Sequence, residues 1–350
     1  RRSSVLALLL VAAPSLAAQQ PDTLPPPPGA EYEISVLTAG VGAEVWERWG
    51  HDMIRVRNLA TGEDVAYNWG MFSFAQPGFV RRFLMGRMHY WMEPDATDRT
   101  VRLYQWRDRT LVEQRLALTP AQRVALVAYL EWNAREENKY YRYDYYLDNC
   151  STRLRDALDR ALGGALRAQT DTVMAGTTFR RETRRLSAPD LPLYTGLMLG
   201  LGPATDRPIT VWEEMFLPVK TMEALRRITV PGPDGTPVPL VASEDTLYRS
   251  RRFQEPAEAP SKAPLYLAIG GGIGLLLVWL GRLRRPRVFL VVGALVALLL
   301  GLGGALLVFL MGFTDHAVTY GNENALLVSF VALILAVSLR PALAGSRGAG

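Results

Sequence analysis

The 350-residue chain has a single cysteine, Cys150, and three histidines, His51, His89 and His316. Cys150 follows the tyrosine-rich run YYRYDYYLDN and precedes Leu154, Leu158, Ala161 and Leu162, which recur at helical spacing until Gly163 and Gly164. Asp148 or Asn149 is the expected cap, which puts the thiol in the first turn of a helix. Unpaired N–H groups there lower a thiol pKa, favour the thiolate that attacks carbonyls, and offer donors to an oxyanion. A lone cysteine is also among the residues most often buried and inert, so catalysis requires a base on a rigid element nearby. His51 fits, because it opens a strand-like run directly after Trp49 and Gly50, whereas His89 sits in the aromatic segment GRMHYW. The partner strand of the same hairpin offers Asn68, in YNWG, to orient the imidazole, with Asp52 or Glu63 as alternatives. No H-x-H, H-E-x-x-H or C-x-x-C spacing supports a metal set from His51, His89 and Cys150, so no metal is expected.

The elements that must hold these groups follow from periodicity. Glu33–Leu37 and Met53–Val56 are strand-like, with His51, Met53 and Arg55 alternating against Asp52, Ile54 and Val56. Thr61 and Gly62 make a turn into a third strand, Val65–Trp69, and Thr100–Leu116 is expected to be a further extended pair. Thr119 and Pro120 open a helix running to about Asn138, and the cysteine helix runs from about Cys150 to Leu162. Residues 165 to 260, with the turn PGPDGTPVP, complete the same domain.

The ends of the chain set its topology. Arg1 and Arg2 before a short apolar run and small residues at 15–18 predict a signal peptide over 1–18, followed by a Pro-rich linker over 19–30. Residues 31–262 are then the catalytic domain. Three apolar stretches, 264–281, 288–312 and 325–339, are expected to span a bilayer. Arg282, Arg284, Arg285 and Arg287 lie in the 282–287 loop and Arg340 and Arg347 in the 340–350 tail, while the 313–324 loop has no Lys or Arg. The positive-inside rule makes the arginine segments cytoplasmic and puts the 313–324 loop with residues 31–262 in the periplasm, at the inner membrane. The net charge of +5 includes two positive charges from the signal and six from the cytoplasmic segments, leaving −3 elsewhere. A nucleic-acid partner is therefore not expected, disorder is excluded by a 49% hydrophobic content, and an intramolecular disulfide by the single cysteine.

The order histidine then cysteine, strands before the cysteine helix, resembles circularly permuted papain-like folds. More specifically, WGHDMIRV (49–56), YNWGMFSF (67–74), GFVRRFLMGRMHYWM (78–92) and YRYDYYLDNCSTRLRD (141–156) are similar to the periplasmic domain of Lnb-type bacterial lipoprotein N-acyltransferases, over roughly residues 31–230. The loop FTDHAVTYGNENAL (313–326) is similar to a histidine-containing loop of full-length members. The resemblance implies an α+β, permuted papain-like domain with C-terminal transmembrane helices, no cofactor, and Cys150 and His51 as the catalytic pair. It implies transfer of a fatty acyl chain from a membrane phospholipid, through a cysteine thioester, to the α-amino group of an apolipoprotein's diacylglyceryl-cysteine. Asn149, His89, Trp69, Trp91, His316 and Asp315 are the expected substrate contacts, the aromatic rings between Trp46 and Tyr146 walling an acyl groove and the 313–324 loop meeting a phosphate headgroup or the catalytic domain. Two other classes fit the same residues: a membrane-tethered cysteine hydrolase, acting on cell-wall peptides or lipid esters, and a non-catalytic tethered binding module.

Overall fold

The computed structural model describes residues 26–232, 235–283 and 286–345, with side chains to residue 338. The expected signal peptide, the linker before residue 26, Arg284, Arg285 and Arg347 lie outside the described residues.

β1 (Tyr32–Ala39), β2 (His51–Asn58) and β3 (Asp64–Met71) form a meander, with Gly62 at φ +78° in the turn joining the last two. After α1 (Phe79–Leu84) come β4 (His89–Ala96), α2 (Thr97–Trp106), β5 (Leu111–Leu116), α3 (Pro120–Ala134), β6 (Tyr140–Arg142) and the cysteine helix α4 (Cys150–Ala161). Next are α5 (Ala165–Thr170), β7 (Met174–Thr178), α6 (Phe179–Ser187), α7 (Leu191–Gly200), β8 (Pro208–Thr210), α8 (Val211–Glu214) and α9 (Pro218–Leu225). The paired strands β9 (Thr229–Pro231) and β10 (Pro237–Pro239) lead to β11 (Val241–Tyr248). Seven strands pair antiparallel in the order β11–β5–β1–β2–β3–β4–β6.

The alternation read in β2 sorts the two faces of this sheet. Ile54, Val56, Tyr67 and Trp69 pack on Leu126 and Leu130 of α3 and Leu154 and Leu158 of α4. Met53 and Ala66 face the other way, onto Tyr104 of α2. Each fully buried side chain of Leu or Trp size contributes about 2 kcal/mol, so the sheet is clamped where β2, β3 and α4 meet. A third cluster, including Tyr146, Phe179, Ile209 and Phe216, packs behind the start of α4. This is what residues 165 to 225 do for the domain: they brace the cysteine helix.

Two expectations are corrected. The first half of Thr100–Leu116 is helical: Thr97, Thr100 and Tyr104 are the buried positions, three and four apart, and Asp98 pairs with Arg102 across one turn. That spacing outweighs the strand propensity of Thr100, Val101 and Tyr104. The third apolar stretch is not one span but α12 (Asn324–Leu327), a break at 328–331, and α13 (Ala332–Gly345). Only α10 (Ala263–Arg282) and α11 (Pro286–Phe313), among the described residues, are long and apolar enough to cross a membrane. A Cβ on Gly304 of α11 would lie 2.3 Å from the Phe330 nitrogen, and one on Gly301 would lie 2.6 Å from Leu333. The broken backbone thus presses into a small-residue notch, the packing by which membrane helices approach closely and by which irregular backbone is shielded from lipid.

Candidate functional site

The site is assembled at one end of the sheet, where β2 begins and β3 ends. His51 is the first residue of β2, opposite Ala39. Its Nε2 lies 3.1 Å from Asn68 Oδ1. Asn68 Nδ2 donates to the Ala66 carbonyl at 3.3 Å, so Oδ1 is the amide atom turned to the ring and Nε2–H donates to it. The imidazole lone pair is therefore on Nδ1, free to accept a proton.

Beyond Asn68, β3 breaks register and Gly70 takes φ +87°. A side chain on Gly70 would start 3.4 Å from Cys150 Cβ, 3.8 Å from His51 Cε1 and 3.9 Å from Tyr141 Oη. Cys150, His51 and Tyr141 thus converge around Gly70 at ordinary van der Waals distances, and it is the φ of +87°, which other residues rarely adopt, that favours glycine here.

Cys150 stands at the first position of α4, held by the capping residue. Asn149 Oδ1 accepts from the Ser151 and Thr152 N–H groups, both at 2.9 Å, and its Nδ2 donates to the carbonyls of Tyr145 (2.7 Å) and Phe216 (2.9 Å). All four hydrogen-bonding positions of the amide are used, so Asn149 positions the helix and has no capacity left for the expected substrate contact. With the Ser151 and Thr152 N–H groups occupied, Cys150's own N–H is the first-turn group left for an oxyanion. The Tyr141 hydroxyl, buried beside it, has no hydrogen-bond partner. Nothing in the spacing of YYRYDYYLDN distinguishes Tyr141 from its neighbours, and it was missed as a polar group.

The electrostatics correct a second expectation. Burial pushes the Cys150 thiol up to about 12, the nearby Asp52 carboxyl adding to it and the N–H groups of Asp52, Ser151 and Cys150 opposing it. Burial, aided by the Arg109 guanidinium and resisted by the Asn68 hydrogen bond, lowers His51 to about 4. The resting pair is neutral thiol and neutral imidazole, because desolvation outweighs the helix terminus that was expected to favour a thiolate.

Asp52, one of the alternatives to Asn68, points to the other face of β2 and lies 2.8 Å from Ser151 Oγ, while Glu63 is exposed in the β2–β3 turn. Trp69 is wholly buried with its Nε1 donating to Asn133 Oδ1 at 2.8 Å, so it is core rather than groove wall. His89 and Trp91 lie on β4, two strands from His51. There His89 stacks on Tyr140 at 4.9 Å and Trp91 Nε1 donates to Glu93, so neither is brought to the thiol. Asp315 and His316 contact the domain itself: Asp315 pairs with Arg87 (2.8 Å) and Arg142 (2.9 Å), and His316 Nε2 lies 3.1 Å from the Phe83 carbonyl. Among the described residues no group of three or more His, Cys, Asp and Glu side chains is gathered to hold a metal.

Residues 29–184, which include every residue of this cluster, match the family model of the Lnb N-terminal periplasmic domain. No curated protein and no solved structure matches the chain. Residues 29–184 are thus similar to that periplasmic domain, and the chain also has two helices long and apolar enough to cross a membrane.

Proposed function

We propose that the chain is a lipoprotein N-acyltransferase of the inner membrane, with a permuted papain-like active domain that uses Cys150 as nucleophile and His51 as base. The observation that carries this reading is the His51–Asn68 pair meeting Cys150 across the gap at Gly70, in a domain docked on membrane-spanning helices. His51 Nδ1 takes the thiol proton as sulfur attacks the ester carbonyl of a phospholipid. Cys150 N–H and Tyr141 Oη donate to the oxyanion. On collapse the carbon–oxygen bond to glycerol breaks and the imidazolium returns its proton to the leaving alkoxide, giving a thioester and a lysophospholipid. The α-amine of a diacylglyceryl-cysteine then attacks the thioester, His51 accepts the amine proton, and departing sulfur recovers it. No cofactor enters the balance. Both substrates reside in the bilayer, so tethering the thiol there raises its effective concentration toward them.

The decisive experiment expresses the wild type, Cys150→Ser and His51→Ala in cells depleted of their own N-acyltransferase and weighs the N-terminus of a reporter lipoprotein by mass spectrometry. Wild type is expected to add one acyl chain and both variants none. An unmodified reporter with wild type, or normal modification by either variant, overturns the reading. Release of free fatty acid or muropeptide without reporter modification would identify a hydrolase instead.

A further inference from the structure

Several strongly exposed apolar side chains of the matched domain gather around α1. This six-residue helix buries none of its side chains: Val80 is 68% exposed, Phe83 52% and Leu84 49%. Phe74, 61% exposed, and Trp46, 48% exposed, extend the surface, with ring centroids 5.6 Å apart. Single exposed apolar residues are ordinary, whereas a contiguous group of this size marks an interaction surface.

The fold shows what lies beside it. The Met85 carbonyl, immediately after α1, accepts from the Asp315 N–H at 2.9 Å, and the Phe83 carbonyl meets His316. These partners lie two and three residues past Phe313, the outer end of the membrane-spanning helix α11. The apolar surface is therefore continuous with the point at which the chain leaves the bilayer, and Arg81 on the same helix suits anionic headgroups. From that surface the rings pass inward in stacked pairs: Phe83 on Phe79 (6.2 Å), Phe79 on Phe72 (6.1 Å), Phe72 on Tyr90 (5.0 Å) and Tyr90 on Tyr143 (4.3 Å). The Tyr143 phenol lies close enough to Cys150 for a thiolate to oppose its ionisation.

We propose that α1, with Phe74 and Trp46, lies in the outer lipid–water boundary of the bilayer, and that a phospholipid acyl chain leaves the membrane along this aromatic stack to reach Cys150. The surface stands on its own geometry; the delivery route rests on the acyl-transfer reading. Lateral entry would let the ester reach the thiol with its chain always against apolar wall.

The test uses the full chain in vesicles of phosphatidylethanolamine and phosphatidylglycerol. Since Cys150 is the sole cysteine, Cys150→Ser with Val80→Cys or Phe83→Cys carries one environment-sensitive fluorophore, and Glu63→Cys serves as a remote control. Brominated lipids are expected to quench the α1 probes and leave the control unchanged; equal quenching of both, or of neither, overturns the membrane surface whatever the enzyme does. In parallel, Val80→Asp/Phe83→Asp is expected to lower transfer from vesicle phospholipid at least about tenfold while leaving acylation of Cys150 by a water-soluble short-chain ester unchanged. Unchanged transfer from vesicles overturns the route. Quenched α1 probes with no transfer by the wild type would overturn the acyl-transfer reading while the surface remains.

Discussion

At the scale of single residues, the site holds its charge back until the reaction needs it. A thiol raised to about 12 beside an imidazole lowered to about 4 favours the neutral pair at neutral pH, so charge that develops as sulfur attacks is met by fixed donors. Tyr141 is the side chain suited to this. Its hydroxyl is buried without an acceptor, a condition that native structures rarely tolerate without a reason. Its ring lies under the Arg153 guanidinium at 4.1 Å, and Arg153 is itself held by Asp148. A cation over the ring strengthens the phenol as a donor. Tyr141→Phe is therefore expected to slow single-turnover acylation of Cys150 by about 10²–10³-fold, with no loss in unfolding midpoint, because no hydrogen bond in the resting structure is removed. Wild-type acylation rates would exclude the donor role. A midpoint lowered by several degrees would make Tyr141 a structural residue.

At the scale of elements, the cysteine helix is joined to the histidine strand by a chain of hydrogen bonds. Asp52 of β2 lies 2.8 Å from Ser151 Oγ of α4, Ser151 Oγ lies 2.7 Å from Thr221 Oγ1 of α9, and Thr221 donates to the Met215 carbonyl at 2.9 Å. Ser151 Oγ–H donates to Asp52 Oδ2, and Thr221 Oγ1–H to the Met215 carbonyl. Burial raises the Asp52 carboxyl to about 7, with the Ser151 hydrogen bond opposing it. Between the ordinary carboxylate value and about 7 the folded state holds more protons than the unfolded one, so this group makes stability fall as pH rises, by at most about 1.4 kcal/mol per pH unit, and level off above. His51, displaced downward, acts with the opposite sign between about 4 and 6.5. Asp52→Asn keeps an amide oxygen that accepts from Ser151 and removes only the first slope. The variant is expected to gain stability relative to wild type as pH rises from 4 to 7, measured by thermal unfolding in detergent; a constant difference would show that Asp52 ionises normally. Such couplings mark the limit of what was legible in the sequence. His51 at a strand start, Asn68 opposite it and Cys150 in a capped first turn follow from period and local chemistry, which one strand or helix suffices to express. The burial of Asp52 against Ser151, the use of Asn149 Nδ2 by the Phe216 carbonyl, and the burial of Trp69 against Asn133 depend on residues 60 or more positions away. The helix at Thr97–Trp106 was hidden for a related reason, since its Thr and Tyr residues have strand propensity and only the tertiary packing of one face decides.

At the scale of the whole molecule, the domain and the C-terminal helices meet largely at the loop between α11 and α12, through both backbone and side-chain hydrogen bonds. Besides the Asp315 and His316 contacts at α1, the Gly202 N–H donates to the Val318 carbonyl at 2.6 Å and Asn322 Nδ2 to the Leu199 carbonyl at 2.6 Å. The ion pairs of Asp315 with Arg87 and Arg142 are exposed enough for solvent to screen them, so removing one charge would hardly separate the two parts. Close approach at two glycines is harder to replace. Gly86, at φ +68°, would bring a Cβ to 2.9 Å from the His316 nitrogen, and Gly202 would bring one to 2.3 Å from the Tyr320 carbonyl oxygen. Gly86→Ala with Gly202→Ala should therefore push the loop off the domain at both ends. Limited proteolysis within residues 313–324 is expected to accelerate, and transfer from bilayer phospholipid to fall at least about tenfold. Alkylation of Cys150 in detergent should stay within about twofold, since that rate reports the thiol's own surroundings. Full transfer activity with a protease-sensitive loop would show that docking is dispensable. Slowed alkylation would instead mean that the loop supports the site itself, a stronger coupling than these contacts provide.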